Sequence, residues 1–252
     1  MQEKIEKSAP AVSDKEIKHI EVAELEAPSK RIIEQIQDRI EKEEYGIIIG
    51  DDVSGRIPTL IIGGLIQKIM ESERKFVPNI TFIPGRLDNS LVFSEQFLGN
   101  LKDFLNKFGF EDGKKVLIVT DTVMTGAALA TLTKSLNSFG IKYDIATIGI
   151  EGGGESSSFP WPDLFSGEYG RRVGSTDEYS SRTPLIYRNK SMSGVWKRYY
   201  EAESSKRMKD IGTLSEDEAV DIQDLINESR EDVKILVGKL FEWYKGQYGK
   251  QE

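Results

Sequence analysis

The chain has 252 residues, a net charge of −8, no cysteine and a single histidine, His19. These counts exclude a disulfide framework, a thiolate metal site and a cysteine nucleophile, and they argue against His-rich metal centres and His-dependent triads. With 38% hydrophobic and 30% charged residues and no apolar run near the ~20 residues of a membrane span, the chain reads as a soluble protein for which nucleic acid is an unexpected partner.

The N-terminus is charged and lacks an apolar signal-like stretch, so a cytoplasmic protein is expected. Residues 1–27 read as a Glu- and Lys-rich tail. In it Ile17, Ile20, Val22 and Leu25 suit a short strand or helix laid on the core, and the segment is a candidate part of a hood. His19 lies among charges and reads as a solvated side chain. Pro28 and Ser29 open a helix that runs to about Glu44 and is striped by Ile32, Ile33, Ile36 and Ile40.

Tyr45 to Gly50 reads as a first buried strand. It runs into Asp51-Asp52-Val53-Ser54-Gly55-Arg56-Ile57-Pro58, and an apolar helix follows to about Met70, with Pro58 in its first turn. Asp51 and Asp52 also fit as turn formers and caps, and Arg56 as a surface arginine of the first helical turn. Asn79 to Pro84 is a second strand, ending in Gly85-Arg86-Leu87-Asp88-Asn89-Ser90. Helical spacing then covers Phe93 to Phe108.

Val116 to Val119 is a third strand, ending at Thr120-Asp121. The turn Thr122-Val123-Met124-Thr125-Gly126 leads into a helix carried by Leu129, Leu132, Leu136 and Phe139, with Gly140 as its stop. A strand, a polar turn and a helix start aim free N–H groups and the positive end of a helix dipole at whatever lies over the strand's carboxyl end. A phosphate fits there. Gly126 permits close approach, Thr122 and Thr125 add hydroxyls, and Asp121 supplies a carboxylate for sugar hydroxyls or a shared Mg²⁺.

Tyr143 to Ile150 is a fourth strand. The following Gly/Ser stretch has no helix start at dinucleotide-binding spacing, and no Gly-x₄-Gly-Lys-Ser/Thr loop occurs. Phe159 to Arg188 holds clustered aromatics and arginines, with Trp161 and Phe165 equally suited to anchor a long loop. Pro184 to Tyr187 reads as a last short strand. From Ser193 the chain is helical and charged, with an amphipathic stripe of Val233, Leu236, Leu240, Phe241, Tyr244 and Tyr248.

Two of these motifs carry a family resemblance. Val116 to Leu129 resembles the PRPP-binding motif of the type I phosphoribosyltransferases, with matches at Asp121, Thr125, Gly126, Ala127 and Leu129. Ser54-Gly55-Arg56-Ile57-Pro58 resembles the family's pyrophosphate loop. The resemblance implies a phosphoribosyltransferase-like, Rossmann-like α/β domain over residues 28–190, with a mainly parallel sheet, helices on both faces and a helical extension over 191–252. It implies a pentosyltransferase using PRPP and Mg²⁺ to pass ribose 5-phosphate to a nucleobase-like acceptor, releasing pyrophosphate.

By the same resemblance, the 5-phosphate falls to Thr122, Thr125, Gly126, Ala127 and Ala128. The pyrophosphate falls to Ser54, Gly55, Arg56 and Arg86. Asp121 would hold the ribose and, through it, the metal, with Asp52 a further metal candidate. Asp121, Arg56 and Arg86 are the residues expected to carry catalysis. The Phe159–Arg188 region is the candidate acceptor hood. Dimers are common in the family, so a homodimer is an expected assembly. Thr120 stands where the family has a first acid, Met124 where it has a threonine, and Ala128 where a hydroxyl residue is common. These departures keep open a second reading, a protein of the same fold that binds PRPP or a nucleotide without turning it over.

Overall fold

A computed structural model describes residues 16–51, 55–83, 95–111, 113–123, 125–127, 129–150, 161, 163–169 and 216–249. In chain order the elements are α1 (Ile20–Ala23), α2 (Glu26–Glu41), β1 (Tyr45–Asp51), α3 (Arg56–Ser72), β2 (Asn79–Ile83), α4 (Glu95–Lys107), β3 (Lys115–Val123), α5 (Ala130–Ser138), β4 (Tyr143–Ile150), β5 (Leu164–Tyr169) and α6 (Glu216–Tyr248). Among the described residues the strands form one five-stranded sheet, all parallel, in the order β2-β1-β3-β4-β5. Parallel neighbours cannot be joined by tight turns, which is why α3 and α5 each follow a strand.

The sheet is buried on both faces, and the sequence shows it. Ile48, Leu117, Val119, Ala146 and Ile148 face one core with α2, α3 and α6. Ile47, Ile49, Val116, Ile118 and Ile145 face the other, with Leu101 and Leu105 of α4 and Leu132 and Leu136 of α5. A strand covered on both sides has no polar face to alternate with, hence the unbroken Ile and Val runs of β1 and β3. The α/β architecture with helices on both faces is as expected.

Several boundaries differ from the expectation. α2 starts at Glu26, because Pro28 falls in its first turn, where a proline costs no helical hydrogen bond. β3 does not stop at Asp121. Thr122 and Val123 continue the ladder against Gly149 and Ile150 of β4. Backbone pairing is indifferent to side-chain polarity, so the polar tripeptide Thr120-Asp121-Thr122 stays extended. α5 begins only at Ala130, and its end is closed by Gly140 at φ +68°. The segment Leu164–Tyr169, read as hood, is instead the edge strand β5. Trp161 is buried with the α4/α5 core and Phe165 packs on the opposite one. The remainder of Phe159–Arg188, including Pro184 to Tyr187, lies outside the described residues.

α6 lies on α3 through Val233, Leu236, Val237, Leu240 and Tyr244. His19 is not solvated. Its side chain is 12% exposed and its Nδ1 lies 2.7 Å from Asp232 on α6. The same carboxylate accepts the backbone N–H groups of Lys18 (3.1 Å) and His19 (2.8 Å). Asp232 thereby clips the segment before α1 to α6, and Val22 and Leu25 are fully buried beside it.

The amino end of the sheet holds an ionic cluster centred on Asp144, which is 1% exposed. The Tyr45 hydroxyl donates to Asp144 Oδ2 at 2.9 Å, Arg39 pairs with the same oxygen, and Lys115 approaches it at 3.6 Å. Arg39 also reaches Asp163 at 3.0 Å and lies over the Phe165 ring. Burial works against the Arg39 charge, but the Asp144 hydrogen bond and attraction hold it above the usual arginine range. Burial, then Asp144, push the Tyr45 phenol well above its ordinary value.

Candidate functional site

The carboxyl ends of β1 and β3 lie side by side, with Gly50 paired to Val119. From there the chain departs in opposite directions. After β1 it enters α3, packed on one face of the sheet, and leads to β2. After β3 it enters α5, packed on the other face, and leads to β4. A crevice opens where neighbouring strands send their helices to opposite faces, and ligands of open α/β sheets bind there.

Both motifs border this crevice. In the first, the Gly55 N–H donates to the Asp51 carbonyl (2.9 Å), and the Thr59 N–H and hydroxyl both donate to the Gly55 carbonyl. Gly55 has φ −80°, which any residue adopts, so space rather than handedness explains the glycine. A Cβ there would stand 2.6 Å from the Val119 carbonyl of β3 and 2.9 Å from the Asp51 nitrogen. The first turn is thus pressed onto the end of β3. Arg56 follows as the first residue of α3. It is 5% exposed, with its guanidinium 4.7 Å from the Phe82 ring centre, so it is not a surface arginine. Asp51 is also buried.

In the second motif Asp121 is 3% exposed and accepts the Thr122 N–H on Oδ1 at 2.6 Å. The Thr122 hydroxyl is buried and has no hydrogen-bond partner among the described residues. Gly126 has φ +72°, the left-handed conformation that favours glycine, and it turns the chain off β3. Thr125 and Ala127 are exposed. Part of the turn's donor capacity is used internally: Leu129 N–H reaches Gly126 O at 3.1 Å and Ala130 N–H reaches Ala127 O at 3.4 Å. Neither α3 nor α5 has a side-chain cap or an acidic residue in its first turn. The positive ends of both dipoles therefore meet no side-chain anion of their own first turns.

Gly55 and Arg56 lie where β1 gives way to α3, and Asp121 and Thr122 at the end of β3 with Thr125, Gly126 and Ala127 in the turn beyond it. Asp52, Ser54, Arg86 and Ala128 lie outside the described residues. The sequence reading passed over Thr59 and Thr147, both fully buried, which tie the two turns to the strand ends. Their signal was present: hydroxyl residues in otherwise apolar runs must find partners.

Among the described residues no group of three or more His, Cys, Asp or Glu side chains could hold a metal ion. Asp51 and Asp121, at the ends of β1 and β3, are both buried carboxylates. No described helix is long and apolar enough to cross a membrane. No protein-family model matches the chain, and no curated protein matches it in sequence.

Proposed function

We propose that the chain is a phosphoribosyltransferase that takes PRPP with magnesium and passes ribose 5-phosphate to a nucleobase-like acceptor. The observation that carries this reading is the contact of the first turn with the end of β3, where a Cβ on Gly55 would stand 2.6 Å from the Val119 carbonyl two residues before Asp121, at the point where the sheet reverses its winding. A ligand with a phosphate at each end and a sugar between them suits two neighbouring strand-to-helix connections with a buried carboxylate at the strand end.

In this reading Gly55, Arg56, Ser54 and Arg86 hold the pyrophosphate. Thr122, Thr125, Gly126, Ala127 and Ala128 hold the 5-phosphate, and Asp121 holds the ribose. Asp121 and Asp52 would hold the magnesium that accompanies PRPP, which would supply neutralisation of the pyrophosphate charge. The acceptor attacks the anomeric carbon, the bond to pyrophosphate breaks, and positive charge develops on the sugar as in glycoside chemistry. No protein nucleophile is required. Positioning and stabilisation of the departing pyrophosphate by Arg56 and the first turn carry the rate. That suits a chain without cysteine whose one histidine is committed to Asp232.

A second reading rests on Thr120 and Asp121. Thr120 is 2% exposed where the family has its first acid, and the Asp121 carboxylate is bonded to its own strand. This favours a protein that binds PRPP or a nucleotide without turnover. Incubation with PRPP, magnesium and a panel of purine, pyrimidine, orotate and nicotinate acceptors separates the two. Acceptor-dependent pyrophosphate release establishes the enzyme. Saturable PRPP binding without release establishes the second reading.

A further inference from the structure

We infer that Thr147 of β4 is a positioning residue that fixes the orientation of the Asp121 carboxylate. Thr147 is fully buried, and it lies in register with Thr120 of β3 and Ser166 of β5, each 2% exposed. This makes a row of three hydroxyl residues across three strands. The register runs on without a shift, with Thr122 pairing with Gly149 and Gly149 with Glu168.

The Thr147 hydroxyl donates to the Asp121 carbonyl at 3.1 Å, sharing its proton with the Gly149 carbonyl at 2.9 Å. The carbonyl of Asp121 and the N–H of Thr122 belong to one planar peptide group. That N–H is the donor held by Asp121 Oδ1. The peptide is therefore gripped at both ends, by Thr147 on its oxygen and by the aspartate on its nitrogen. Losing the Thr147 bond loosens this peptide within its ladder, and a small tilt weakens the N–H contact that holds Asp121 Oδ1. Thr147 touches no ligand in this scheme and acts through Asp121 alone. Its effect on PRPP rests on the function proposed above, and its effect on the peptide does not.

The test is Thr147→Val, which keeps the branched shape and removes the donor, with Thr147→Ser as the variant that restores it. Two quantities are read: amide hydrogen exchange at Thr122 against Leu117 and Ile118, and PRPP affinity with magnesium. For the valine variant, exchange at Thr122 is expected to quicken about threefold to tenfold, as one buried hydrogen bond implies. Leu117 and Ile118 stay unchanged, PRPP affinity drops by a similar factor, and serine recovers both. Should valine at 147 fail to fold, Thr147→Ala gives the same exchange readout. Wild-type protection of Thr122 in a folded donor-free variant overturns the inference, whatever PRPP does. Unaltered PRPP affinity in a variant whose Thr122 exchange has quickened overturns the link to the site. A wild type that binds no PRPP defeats the proposed function instead, and the exchange measurement alone then decides the role of Thr147.

Discussion

Replacing Gly55 by alanine puts a number on the closeness of the first turn to β3. The added Cβ would meet the Val119 carbonyl oxygen at 2.6 Å, the Asp51 nitrogen at 2.9 Å and the Asp51 oxygen at 3.0 Å. All three are backbone atoms of a strand end or its turn, and none can swing aside as a side-chain tip can. Overpacking of this kind costs about 1–3 kcal/mol. Gly55 has an ordinary φ of −80°, so alanine also recovers about 0.4–1 kcal/mol by restricting the unfolded chain. The net expectation is a loss of about 1–2 kcal/mol, read as a lower urea midpoint at unchanged slope. Gly99 of α4 is the control. It is exposed, a Cβ there meets nothing within 4 Å, and alanine is expected to stabilise by about 0.5–1 kcal/mol. Gly55→Ala at or above wild-type stability would refute the claim that the first turn presses on β3.

Three further outcomes follow from the packing. Asp144→Ala strands the Tyr45 hydroxyl and the Arg39 and Lys115 charges at the amino end of the sheet. It is expected to cost about 3 kcal/mol in chemical denaturation, near the low end for a broken buried pair because Arg39 and Lys115 are each 21% exposed. Asp232→Ala removes the acceptor for two backbone N–H groups and the His19 ring, for an expected loss of about 2 kcal/mol and faster proteolysis before α1. Stability should also fall at alkaline pH. Burial first, then neighbouring carboxylates, raise the Tyr244 phenol from 10.0 to about 12, and Tyr45 is raised too. The folded state thus holds protons that the unfolded state releases, so this stability is complete below pH 10 and lost as pH rises through about 12. The part of the phenolate absorbance that comes from Tyr45 and Tyr244 should therefore appear together with unfolding rather than before it.

The sheet was largely legible because its strands are buried on both faces. Ile47-Ile48-Ile49 and Val116 to Val119 leave little choice but a covered parallel sheet, and β4 falls on its expected residues. β5 was not legible. Leu164-Phe165-Ser166-Gly167-Glu168-Tyr169 follows two prolines and contains a glycine, so it has the local marks of a loop. Its place depends on contacts far away. The Gln35 side chain donates to the Ser166 carbonyl, Arg31 reaches the Gly167 carbonyl, and Pro28 leaves no room for a side chain at 167.

The motif residues of the candidate site were legible one by one, but their setting was not. That Gly55 touches β3, that Arg56 is buried over Phe82, and that Asp121 spends a carboxylate oxygen on its own strand are tertiary facts. His19 shows the same limit, since its partner lies 213 residues away on α6.

The most direct test of the central claim is a calorimetric titration of PRPP with magnesium into the wild type and into Asp121→Asn, at one salt concentration. The account predicts saturable binding to the wild type and binding weakened tenfold or more in the variant, with its fold retained. A wild type that takes up no PRPP would contradict it.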